Sequence, residues 1–125
     1  MSPARRVVVV GDDLMVRSRI EAAAPADAEL SFPRSAAEFE AQLDPAPDLI
    51  LVGMAATRLP WPDLIRAARA NPASREVPVL AFGPHKNLEL RGRALEAGAE
   101  RVMANSALML ALPRLLRGEP PEDDS

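Results

Sequence analysis

Residues 7–20, VVVVGDDLMVRSRI, decide the fold of this chain. The four consecutive valines at 7–10 are typical of a strand that is buried on both faces, as in the middle of a parallel sheet. Asp12 or Asp13 can then cap a helix, which ends before Pro25. The apolar residues of this helix recur at near-helical spacing: Leu14, Val16 and Ile20. A strand, a short acidic turn and a helix together form one β-α unit.

The same alternation of strand and helix continues outward from this unit along the chain. We predict four more strands, at 28–32, 48–52, 77–82 and 100–104. The other helices begin after Ser35 and span 61–70, 87–97 and 106 to about 117. Ser35 and Glu38 have the spacing of a capping box, Gly98 ends the fourth helix, and Ser106 can cap the last one. Pro113 is expected to kink or split that last helix.

Five strands that alternate with five helices predict an α/β fold, in which a doubly wound parallel sheet has helices on both faces and right-handed crossovers. We expect one domain over residues 1–118 and a disordered, proline-rich acidic tail over 119–125. In such sheets the functional site lies beyond the carboxyl ends of the strands. The sequence therefore predicts functional residues in four loops, at 11–13, 53–57, 83–85 and 105–106.

The composition of the 125 residues limits the classes of protein to which the chain can belong. No apolar run approaches the roughly 20 residues that cross a bilayer, so we expect a cytoplasmic protein without a membrane partner. Cysteine is absent, which excludes disulfides, thiolate catalysis and thiolate metal sites. The net charge is -3 and the basic residues are spread along the chain, which argues against direct binding of nucleic acid.

Three stretches of the sequence, in this order and at these intervals, resemble the receiver domain of two-component response regulators. Residues 7–20 look like the family's first strand, acidic turn and first helix, and PDLILV at 47–52 looks like the approach to the phosphoacceptor. VPVL at 77–80 and GAERVM at 98–103 look like the fourth and fifth strands. The resemblance extends to about Gly118. It implies a flavodoxin-like fold with sheet order 2-1-3-4-5 and a role in bacterial signal transduction.

The sequence departs from this family at the residues that carry its chemistry. Phosphotransfer in the family requires an aspartate nucleophile, an acidic pair that binds Mg²⁺, a hydroxyl that senses the phosphoryl group and a lysine that neutralises it. The corresponding positions here are Gly53, Gly11 with Asp12, Gly83 and Asn105. Glycine cannot form an acyl phosphate, and asparagine brings no positive charge. The resemblance therefore implies a pseudo-receiver with a degenerate phosphorylation pocket, no enzymatic activity and no cofactor.

Two features of this pocket remain open from the sequence. Asp12 and Asp13 can form a weak cation site, or they can serve as a helix N-cap and as partners of the helix dipole. The space freed by the glycines can hold a small ligand, or neighbours such as Met54, Phe82 and Met103 can fill it.

Other residues are candidates for a surface that binds a partner. His85 can contact a ligand or lie exposed without a role, and Trp61 can anchor a partner or cover the core. The last helix is unusually apolar, and the part of it that the core does not use is a candidate dimer or partner surface. Its candidate contact residues are Leu108, Met109 and Leu112.

Three functional hypotheses follow. The first is a phosphorylation-independent module that binds a signalling protein, or a second copy of itself, through the fourth helix, the fifth strand and the last helix. The second is a sensor of a small molecule bound in the degenerate phosphorylation pocket. The third is a hydrolase or phosphotransferase that uses Asp12 or Asp13 as nucleophile, although no histidine or lysine lies nearby in sequence to assist.

Overall fold

The computed structural model describes residues 5–56, 58–84 and 87–119, in which five strands alternate with five helices. The strands are β1 (Arg6–Val10), β2 (Glu29–Ser31), β3 (Leu49–Gly53), β4 (Val79–Gly83) and β5 (Arg101–Ala104). The helices are α1 (Leu14–Ala23), α2 (Ala36–Ala41), α3 (Trp61–Ala70), α4 (Leu88–Ala97) and α5 (Asn105–Leu116). All strand pairs are parallel, in the order β2-β1-β3-β4-β5. The predicted fold class and sheet order are confirmed.

The sheet is buried on both faces, as the β-branched and leucine-rich strands predict. Alternate residues of β1 point to opposite faces, so that Val8 and Val10 belong to one core and Val7 and Val9 to the other. The first core lies against α2, α3 and α4, where Phe39 is fully buried, and the second lies against α1 and α5. Every residue of β3 and β4 is buried, which places these two strands at the centre of the domain.

The helix caps follow the sequence signals closely. The Glu38 N–H donates to Oγ of Ser35 (3.1 Å), while the Glu38 carboxylate accepts from the N–H of Arg34 (3.1 Å), so that the reciprocal bond lies one residue before the cap. Asn87 caps α4 by accepting from the Leu90 N–H at 3.0 Å. Gly98 ends α4 with a φ of 123°, a conformation that favours glycine.

The last helix differs from its prediction at its start, and Pro113 lies within it. It begins at Asn105 with Ala104 as N-cap residue and no side-chain cap, so the prediction that Ser106 caps it was wrong. Pro113 lies inside a single helix, so of the two predicted effects it does not split α5. Proline removes one backbone donor, but its side chain is exposed. Leucines buried on either side of it, Leu112 and Leu116, hold the helix against the sheet.

The first helix also packs differently from its prediction. Ile20 is fully buried and Val16 partly so, but the side chain of Leu14 is 75% exposed. Since Asp13 caps the helix, Leu14 is the first residue of its first turn and precedes the partly buried Val16 and the fully buried Ile20.

The last described residue of the chain, Glu119, is hydrogen-bonded to the end of α5. Glu119, the first residue of the predicted tail, pairs with Arg117 at 3.0 Å, and its N–H donates to the carbonyl of Arg114 at 2.9 Å. Residues 120–125 of that tail lie outside the described residues. Within the ranges described, no helix is long and apolar enough to cross a membrane.

Candidate functional site

The carboxyl ends of β1, β3, β4 and β5 meet at one edge of the sheet and bring the predicted pocket residues together. A cavity of about 50 Å³ at this edge is lined by all six of them: Gly11, Asp12, Asp13, Gly53, Gly83 and Asn105. Small-molecule sites are usually about 300–1,000 Å³. The inner cavity is therefore too small for an organic ligand and has room for only a few water molecules.

Apolar side chains occupy the space at the two buried glycines. A Cβ built on Gly53 lies 3.3 Å from Cζ of Phe82 and 3.3 Å from the carbonyl oxygen of Val10. A Cβ built on Gly83 lies 3.1 Å from Cε of Met54. Of the neighbours proposed from the sequence, Phe82 and Met54 fill this space. Met103 is buried but does not line the cavity.

The two adjacent aspartates have separate positions. Oδ1 of Asp13 accepts from the N–H groups of Met15 (2.9 Å) and Val16 (3.3 Å), so Asp13 is the N-cap of α1. Asp12 is exposed and lines the cavity. In the described part of the chain, no three side chains of the types that bind metals come together.

The Asp13→Ala variant is expected to unfold with a free energy lower by about 1 kcal/mol, because α1 loses the acceptor for two of its first N–H groups. Urea denaturation monitored by circular dichroism measures the change. Asp13→Asn is the matched control, since asparagine caps helices as well as aspartate does, and it should differ from the wild type by only a few tenths of a kcal/mol. An equal loss in both variants would show that the negative charge, and not the cap, stabilises the domain.

A larger cleft of about 240 Å³ opens beside the inner cavity. Both are lined by Gly11, Asp12, Asp13, Arg17, Phe32 and Ala56. Three arginines from separate elements line the cleft: Arg17 of α1, Arg34 after β2 and Arg58 after β3. Sequence reasoning missed this cleft because the arginines are far apart in the chain and no motif connects them.

The candidate partner residues lie mostly in the core. Trp61 is only 4% exposed and packs in the core with the guanidinium of Arg93 at 5.5 Å from its ring centroid, so its interpretation as a partner anchor was wrong. Leu108 and Leu112 are also buried, because they form the stripe of α5 that packs on the sheet, and Met109 is half-buried. His85 lies outside the described residues.

The exposed apolar side chains of the last two helices are different ones. On α4 they are Leu88 and Leu95, seven residues apart on one helix face, and on α5 the residue is Leu110, which is 84% exposed. Since α4 and α5 both contact the edge strand β5, these leucines lie on the two helices that flank this edge.

Comparison with known proteins gives structural matches only. No family model and no curated protein matches the sequence. The receiver domain of the sensor histidine kinase PA1611 from Pseudomonas aeruginosa has 22% sequence identity and a TM-score of 0.74, with 92% of this chain and 96% of that chain covered. The chemotaxis response regulator CheY4 of Vibrio cholerae has 17% identity and a TM-score of 0.74, with coverage of 92% and 98%.

A third structural neighbour is the phosphorylated cyanobacterial phytochrome response regulator RcpA, with 17% identity and a TM-score of 0.72, in which 92% of this chain and 90% of that chain are covered. The alignments cover at least 90% of each of these three chains. The chain therefore has the flavodoxin-like fold of response-regulator receiver domains.

Proposed function

We propose that this protein is a pseudo-receiver that acts in bacterial signal transduction through protein contacts and without phosphorylation. The observation that carries the proposal is the packing at the end of β3. Gly53 stands where the resemblance places the phosphoacceptor, and a Cβ at this position would lie 3.3 Å from the ring of Phe82, so the ring would have to shift by a few tenths of an ångström for an acceptor side chain. This tight packing adds to the argument from the missing carboxylate, because a restored side chain would also require its neighbours to move.

The remaining positions of the pocket support the same conclusion. The PA1611 receiver domain was solved with magnesium coordinated in its active-site cleft, and RcpA was solved phosphorylated. In this chain Gly11 replaces one acid of the metal-binding pair, and the carboxylate of Asp13 is engaged in the cap of α1. Asn105 supplies no positive charge for a phosphoryl group. We therefore propose that the protein is not an enzyme and holds no cofactor.

A fold that retains its scaffold without its chemistry can still bind proteins. We propose the interaction face formed by α4, β5 and α5, since β5 is an edge strand and both helices contact it. Exposed leucines on both helices give this face the apolar contacts that drive association. These are Leu88, Leu95 and Leu110. The partner is a protein of the same signalling pathway or a second copy of this chain.

The sensor hypothesis has less support in its original form. A ligand lodged among the glycines would need an open space there, and the inner cavity of about 50 Å³ does not supply it.

Replacing Leu88 and Leu95 with lysine should weaken self-association at least about tenfold, because two charges would have to be desolvated at an apolar contact. Sedimentation velocity across a range of protein concentrations measures the change. Leu14→Lys is the matched control, since Leu14 and Leu88 are both 75% exposed but Leu14 lies on α1, which is not one of the elements of the proposed face. An equal effect of Leu14→Lys would contradict the choice of this face. A wild-type protein that stays monomeric, and whose immobilised form retains no partner, would contradict the proposed function itself.

A further inference from the structure

The cleft beside the inner cavity is lined by three arginines and by several apolar side chains. Arg17, Arg34 and Arg58 approach it from α1, from the segment after β2 and from the segment after β3. We propose that this cleft binds a small amphipathic anion, with a carboxylate or phosphate head group and an apolar body of about one ring. The proposal does not depend on the protein contacts of the α4-β5-α5 face.

The charges of the cleft favour an anion at its outer end. Arg17 already has partners, since its guanidinium lies 4.1 Å from the ring centroid of Phe32 and 3.7 Å from the Glu21 carboxylate. The guanidinium groups of Arg34 and Arg58 make no hydrogen bond or ion pair with any of the described residues. Arginine binds carboxylate and phosphate through paired N–H groups, so two such side chains at one cleft are suited to an anionic head group.

The apolar walls determine the rest of the ligand. Leu14, Phe32, Pro33, Ala56 and Leu59 line the same cleft as the arginines. The volume of about 240 Å³ is just below the usual range of about 300–1,000 Å³ for small-molecule sites, so a single ring is a suitable size. A ligand body in this position would also cover Leu14, whose side chain is 75% exposed.

The two aspartates that line the cleft determine the orientation of the ligand. Asp12 and Asp13 line both the cleft and the inner cavity, whereas Arg34 and Arg58 line the cleft alone, so the arginines are the better site for an anionic group. The inner cavity is also too small to accept one. The head group is therefore placed outward, at Arg34 and Arg58, and the apolar body lies against Phe32 and Leu59.

Titration of the ¹⁵N-labelled full chain with benzoate and with phenyl phosphate tests the site. We expect saturable shifts of the amide resonances of Gly11, Arg34 and Leu59 with at least one of the two anions. Comparison of the two identifies the preferred head group. Benzyl alcohol, which has the ring without the charge, should bind at least about tenfold more weakly, because it cannot pair with a guanidinium. Shifts that do not saturate with either anion, or equal binding of the alcohol, would overturn the proposal.

A pair of double variants distinguishes the site from general attraction to a positive charge. Arg34→Gln with Arg58→Gln should weaken binding of the preferred anion about tenfold or more. Arg19→Gln with Arg91→Gln changes the net charge equally at exposed arginines that do not line the cleft, and it should leave affinity within about twofold. Equal losses in the two double variants would overturn the proposal. Unchanged amide spectra away from the cleft establish that each variant is folded.

Discussion

The Gly53→Asp variant should lose about 3 kcal/mol of its free energy of unfolding, and it should take up no phosphoryl group. The new Cβ would lie 3.3 Å from both Cζ of Phe82 and the carbonyl oxygen of Val10, so the neighbours must move before the carboxylate is accommodated. The carboxylate itself would then lie in a buried setting beside an aromatic ring. Both the overpacking and the desolvation of a charge oppose folding.

Urea denaturation gives the free energy of unfolding, and intact mass after incubation with acetyl phosphate and Mg²⁺ gives phosphoryl uptake. Gly11→Asp is the matched control, because a Cβ built on Gly11 meets nothing within 4 Å. The same substitution there should change the stability by no more than about 0.5 kcal/mol. If Gly53→Asp were as stable as the wild type and gained a phosphoryl mass, the apolar packing would not block the site, and only a single residue would separate this chain from an active receiver.

The wild type provides the complementary test of the proposed function. It should gain no mass from acetyl phosphate, and beryllium fluoride should leave the fluorescence of the buried Trp61 unchanged, because no acceptor carboxylate follows β3. Mass gained by the wild type would mean that Asp12 or Asp13 has become the acceptor, and the pseudo-receiver proposal would be wrong.

Most of the fold could be predicted because its signals are local. Buried strands appear as short β-branched or leucine-rich runs, as at 7–10 and 49–52, and helix ends carry residues that satisfy free backbone groups. Asn87 and Gly98 limit α4 where the sequence places them. The loops that meet at the pocket follow directly from the strand order, because parallel strands end at one edge.

Which side chains are exposed could not be predicted in the same way, because the burial of a side chain depends on the elements against which its helix packs. Most leucines of α5 are buried in the core. Leu110 is the exposed one, although it is no more apolar than its neighbours. Trp61 is covered although it opens a helix. The arginines of the cleft come from three segments, and only the folded chain brings them together.

The second large effect on stability is expected from replacing Arg69, because its guanidinium connects three segments on the α3-α4 side of the sheet. Its Nε donates to the carbonyl of Gly98 (2.9 Å), and its Nη1 donates to the carbonyls of Arg75 (2.8 Å) and Val77 (2.7 Å). The end of α3 is thereby tied to the loop before β4 and to the end of α4. A hydrogen bond to a charged donor contributes about 1.5–3 kcal/mol, and partly buried carbonyls without a donor oppose folding.

Arg69→Met should therefore lower the free energy of unfolding by about 2–3 kcal/mol, because it keeps the aliphatic stem and removes all three donors. Urea denaturation measures the loss, and hydrogen exchange should show faster exchange at Val77 and Ala99 than elsewhere in the core. Arg66→Met is the matched control on the same helix, since Arg66 forms an exposed ion pair with Asp63 at 3.0 Å, and it should change the stability by less than about 0.5 kcal/mol. Equal losses in the two variants would show that the positive charge on α3, and not the three hydrogen bonds of Arg69, stabilises the domain.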